Sequence, residues 1–66
     1  MTTLPKMRAE DLKALRVKLD KTQAEMAMLY GVDLRTFRKW ENKERSIPGP
    51  AVMFSRYIQK DHEIFK

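Results

Sequence analysis

The chain has no cysteine in its 66 residues. Disulfides and thiolate metal sites are therefore excluded. It has a single histidine, His62, so an imidazole metal site would need several carboxylates converging on that residue. No apolar run approaches the ~20 residues that span a bilayer. The opening MTTLPKMR lacks the apolar core of a signal peptide. A cytoplasmic protein with no membrane association is the expectation. Catalytic pairings are missing too. No carboxylate pair or glycine-rich phosphate loop is present, and Ser46 and Ser55 have no histidine partner except His62. Neither an enzyme nor a cofactor is expected.

What is present is charge. Fourteen Lys and Arg face nine Asp and Glu, for a net charge of +5 and a pI near 9.8. Such a balance in one small domain suggests a polyanionic partner, usually nucleic acid. At this length the chain holds one domain, residues 1–66. Residues 1–7 read as a flexible lead. Lys6 and Arg8 are either a plain disordered end or a reach along a DNA backbone. Residues 60–66 read as a tail that adds a helical turn or dangles.

Glycine and proline are scarce, and they punctuate. Helix one is predicted over Ala9 to Leu19, with Glu10 and Asp11 in its first turn, where acids suit the helix dipole. Leu12, Leu15 and Leu19 form its apolar stripe, and Met7 can pack on Leu12 as a staple. Thr22 with Glu25 is a capping box that opens helix two, Gln23 to Tyr30. Met26, Ala27, Leu29 and Tyr30 supply its buried side, and Gly31 ends it in the left-handed conformation. Asp33 caps helix three, Leu34 to about Asn42. Its inward residues are Phe37 and Trp40, with Leu34 or Val32 at its head. Pro50 suits the first position of helix four, which runs to about Gln59. Ala51, Phe54 and Ile58 form one apolar line on it, and Met53 and Tyr57 another.

Two short helices joined by a tight turn make a helix-turn-helix. The motif has steric demands. A small residue must stand where the helices press together, and Ala27 does. The turn needs a glycine, and Gly31 follows four positions later. Val32, Phe37 and Trp40 have the spacing to lock the second helix onto the first.

TQAEMAMLYGVDLRTFRKWEN resembles the helix-turn-helix of the Cro and lambdoid-repressor type, over roughly Leu12 to Pro50. The TQAE start, the Ala-x-x-x-Gly spacing and WEN carry most of the likeness. RSIPGPA is similar to the stretch after the motif in short phage and antitoxin-type regulators. The resemblance implies an all-α, compact lambda-repressor-like domain of four to five helices, with the helix-turn-helix at helices two and three. It also implies double-stranded DNA as partner. Leu34, Arg35, Thr36 and Lys39 would face the major groove. There Arg35 could read guanine, and Thr36 or Leu34 could meet a thymine methyl. Gln23, Arg38, Asn42, Lys43 and Arg45 would hold phosphates. An ion pair between Arg16 and Glu41 would tie helix one to helix three. Two departures stand out. Lys43 occupies the position where the family commonly has Gly, which leaves Asn42 to take the left-handed conformation. Asp33 replaces the usual Ser or Thr cap.

The resemblance implies a sequence-specific regulator, most simply an autoregulatory repressor acting as a homodimer on an inverted repeat. Helices two and three serve core and DNA, so Met53, Tyr57, Ile64 and Phe65 are the dimer candidates, unless they complete the core. The competing reading is an antitoxin-type module that neutralises a toxin or other protein through helix four and the tail. The five methionines read as an adaptable core.

Overall fold

Three of the four helices end in the same way, and those endings shape the fold. The computed structural model describes residues 6–64, with side chains as far as Lys60. Among the described residues the elements are α1 (Ala9–Lys18), α2 (Gln23–Tyr30), α3 (Leu34–Glu41) and α4 (Gly49–Ile64). After α1, Asp20 adopts φ 58°, after α2 Gly31 adopts φ 72°, and after α3 Lys43 adopts φ 65°. Each left-handed residue reverses the chain and closes two bonds onto the helix it leaves. The Lys21 N–H donates to the Arg16 carbonyl at 3.1 Å, Val32 to Ala27 at 3.0 Å, and Glu44 to Lys39 at 2.9 Å. These are Schellman closures, which satisfy carbonyls that the helix end would leave unpaired.

The helix starts follow from polar side chains. Thr22 Oγ1 accepts the Glu25 N–H at 3.1 Å, and Glu25 Oε1 accepts the Thr22 N–H at 2.8 Å. Asp33 Oδ1 accepts the Thr36 N–H at 3.0 Å. Arg8 gives α1 no side-chain cap, but Asp11 Oδ2 accepts the Arg8 N–H at 3.3 Å.

The core lies where the four helices converge. Leu12 and Leu15 of α1, Met26 and Ala27 of α2, Phe37 and Trp40 of α3, and Ala51 of α4 form one buried cluster. Met7, Leu19, Tyr30, Val32, Ile47 and Ile58 pack around it. Tyr30 stands among three other rings. Its centroid is 4.8 Å from Phe54, 5.8 Å from Phe37 and 6.2 Å from Trp40, all edge-to-face. Its hydroxyl hydrogen-bonds Ser55 Oγ, which also donates to the Ala51 carbonyl at 2.9 Å. This link joins the end of α2 to α4.

The predicted order of elements holds, with corrections. Helix one ends at Lys18, one residue early, with Leu19 as its cap. Leu29 is 47% exposed, because Met26 and Ala27 already fill the inward face of a two-turn helix. Asn42 stays at φ −92°, and Lys43 takes the left-handed conformation in its place. Helix four starts at Gly49, so Pro50 is its second residue. A missing N–H costs nothing there, since the whole first turn lacks helical partners. The helix continues to Ile64, so the predicted tail from residue 60 is helical that far. Val52 and Ser55, unassigned in sequence, are both 1% exposed. The side chains of His62, Ile64 and Phe65 and the lead before Lys6 lie outside the described residues. No helix among the described residues is long and apolar enough to cross a membrane.

Candidate nucleic-acid interface

Helix α3 has two chemically opposite sides. Phe37 is 0% and Trp40 5% exposed. Around the cylinder Arg35 and Arg38 are exposed, and Leu34, Thr36 and Lys39 are half-buried. The helix turns about 100° per residue. Residues 34, 35, 38, 39 and 42 therefore share the side opposite Phe37 and Trp40. Leu34, Arg35, Arg38, Lys39, Asn42 and Glu44 line one shallow hollow of about 330 Å³.

Three of the four predicted base-reading residues (Leu34, Arg35 and Lys39) meet in that hollow. Thr36 lies beside it, its N–H held by Asp33. Arg38 and Asn42, predicted to hold phosphates, line the hollow as well. Lys43 and Arg45 do not. They line a separate cleft of about 540 Å³ with Lys6, Arg8, Met7, Ile47 and the edge of Trp40. Lys43 Nζ pairs with Glu10 Oε2 at 2.8 Å. That contact holds the Glu10 carboxyl below the usual carboxylate range.

Gln23 is set back from both groups. Its Nε2 donates to Glu41 Oε1 at 2.9 Å, and its Oε1 accepts from Arg38 Nε at 3.4 Å. Glu41, the acid beside a cationic face, is nearly enclosed, with 3% of its side chain exposed. Arg16 Nε lies 2.8 Å from Glu41 Oε2, and the second guanidinium nitrogen 3.4 Å from Oε1. Arg16 also donates to the Lys21 carbonyl at 3.2 Å. The Glu41 charge is thus turned inward and paired. Asp33 is similarly spent. The Thr36 hydroxyl, and after it the Thr36 N–H, hold its carboxyl below the usual range. Its charge sits on the positive end of α3.

Glu44 is the residue that sequence reasoning missed. It is exposed and carries an anion into a hollow otherwise lined by cations, Leu34 and Asn42. Its place follows from the left-handed turn at Lys43, which folds residue 44 back under Lys39. Gly in that position would have signalled the turn; Lys did not. The dimer candidates Met53 and Tyr57 are 53% and 63% exposed on α4.

A helix-turn-helix family model matches residues 12–55. The match begins at the first buried leucine of α1 and ends at the buried serine of α4. The chain belongs to the Cro/C1-type helix-turn-helix family and is a DNA-binding regulator of transcription. No curated protein and no solved structure matches it.

Proposed function

We propose that this chain is a repressor that binds an inverted-repeat operator as a homodimer, with the exposed side of α3 in the major groove. The carrying observation is the division of α3. Its aromatic side is locked into the core, so Arg35, Arg38 and Lys39 are presented on a rigid helix rather than on a loop. Arg35 and Lys39 have the chemistry to read guanine, and Leu34 and Thr36 to meet a thymine methyl. Arg38, Asn42, Lys43 and Arg45 supply phosphate contacts, which fix register but carry no sequence information. One such head covers a half-site. Two copies related by a dyad would enter successive major grooves ~34 Å apart. Met53 and Tyr57 give α4 an apolar surface for that pairing. Occlusion of a promoter, its own included, is the mechanism that needs least of a small protein.

A footprint on the DNA upstream of the coding sequence tests the operator. Arg35→Ala then tests the reading helix. Specific affinity should fall by ~1–3 kcal/mol, with a smaller fall on random DNA. Equal losses on both would make Arg35 a phosphate contact.

A further inference from the structure

The polar side chains behind α3 form a chain of contacts that crosses three helices. Arg16 of α1 grips Glu41 of α3, Glu41 accepts from Gln23 of α2, and Gln23 accepts from Arg38 of α3. The orientation of the Gln23 amide is dictated by charge. Its NH₂ group must face the Glu41 carboxylate, and its carbonyl must face a guanidinium that has no acceptor capacity. The flipped amide would set oxygen against carboxylate and NH₂ against guanidinium, and both contacts would be lost. The enclosed Glu41 therefore fixes which end of Gln23 points to Arg38.

We infer that Gln23 is a positioning residue that holds the Arg38 guanidinium ready for a DNA phosphate, rather than a phosphate ligand acting alone. A free arginine on a helix surface loses rotamer entropy when it is fixed. Held at Nε by Gln23, Arg38 has already lost part of that freedom, while its two terminal nitrogens stay available to a phosphate. Gln23 retains one amide proton beyond its bond to Glu41, so direct phosphate binding is the specific alternative. The inference rests on Arg38 facing the DNA backbone.

A double-mutant cycle separates the two. Affinity for a random-sequence duplex is measured between 50 and 200 mM salt, because phosphate contacts are independent of sequence. One phosphate contact contributes about threefold to the fall in affinity over that range. Arg38→Ala should remove that factor. Gln23→Ala should lower affinity at every salt, with the slope kept, when Arg38 is present, and should cause no further loss when Arg38 is alanine. Additive losses in the double variant, or no loss from Gln23→Ala alone, would overturn the inference. Melting curves identify any variant whose fold is impaired. A second measurement needs no DNA. Exchange of the Arg38 Nε–H proton in the free protein, followed by nitrogen-15 NMR, should be slower in wild type than in Gln23→Ala. Equal exchange rates would overturn the bracket itself. A chain that failed to bind the duplex would instead remove the assumption about Arg38 and leave the exchange result standing.

Discussion

Arg16 and Glu41, 25 residues apart in sequence, close on each other at 2.8 Å with the carboxylate almost wholly enclosed. Their side chains are 16% and 3% exposed. Such a pair adds little net stability over an apolar pair, because desolvation offsets the attraction. Removing one partner is a different matter, since the other charge is left buried. Arg16→Ala should destabilise the domain by ~3–5 kcal/mol, a large share of what a small domain has. The double change Arg16→Met with Glu41→Leu should recover much of that loss. Urea melts of the three proteins check this. A mild single mutant would mean that water reaches Glu41.

Gly31 and Lys43 hold the same left-handed backbone at the ends of α2 and α3, and only one of them is suited to it. An added Cβ at Gly31 meets nothing within 4 Å, so Gly31→Ala pays for conformation alone, about 1 kcal/mol. Lys43→Gly should be its mirror image and stabilise by about the same amount. The lost Lys43–Glu10 contact subtracts little, as both ends are exposed. DNA affinity should nevertheless fall in Lys43→Gly if Lys43 holds a phosphate. Thermal melts and binding isotherms on one sample would show the two effects with opposite signs.

Much of this arrangement was legible in the sequence because single residues impose it. Thr22 with Glu25, Ala27 with Gly31, and Asp33 each set a helix end locally, and the α2 bounds followed to the residue. Phe37 and Trp40 could be placed inside because they stand at i and i+3 on a helix whose opposite side carries Arg35, Arg38 and Lys39. The misses have tertiary causes. Leu29 is apolar, but the two-turn helix had no inward surface left for it. Lys43 gave no sign of its φ of 65°, since that conformation is set by the Schellman bonds and not by the side chain. Ser55 had no assigned place in the sequence, and the Tyr30 hydroxyl satisfies it inside the core. The partition of the cations into a hollow and a cleft, and Glu44 in the former, depend on that same turn.

Glu44 faces the hollow that would receive DNA. An anion there opposes a polyanion, and nothing among its backbone contacts neutralises it. Glu44→Gln should raise affinity for random duplex by roughly two- to fivefold at low salt and by little at high salt. Anisotropy titrations at two ionic strengths check it. If affinity for the operator falls instead, Glu44 accepts a hydrogen bond from a base, and cytosine N4 is the donor that suits it.

Tyr30 supplies a pH dependence at the alkaline end. Burial pushes its hydroxyl above the ordinary value of 10.0, against the bond to Ser55, which lowers it. The unfolded chain therefore releases this proton at a lower pH than the folded chain does. The stabilisation is complete below the ordinary tyrosine range and is lost as pH rises from there through the folded value. Tyr30→Phe keeps the ring among Phe37, Trp40 and Phe54 and should cost ~0.5–1.5 kcal/mol at neutral pH. It should also flatten the alkaline loss of stability.

Tyr57 carries the last expectation. It stands one helical turn from Met53, and both are more than half exposed in a single copy. Two large apolar side chains on one face of α4 are poorly explained by the core, which Ala51, Val52 and Ser55 already fill from that helix. A dyad partner would cover them, and a two-fold interface doubles the effect of each substitution. Tyr57→Asp should therefore yield a folded monomer, since the residue supports little of the core. Sedimentation should show half the wild-type mass. Gel shifts should show weak binding to a half-site and no cooperative gain on the full inverted repeat. A Tyr57→Asp protein that still sediments as a dimer with full operator affinity would move the interface to another surface, such as the Ser46 to Pro50 turn.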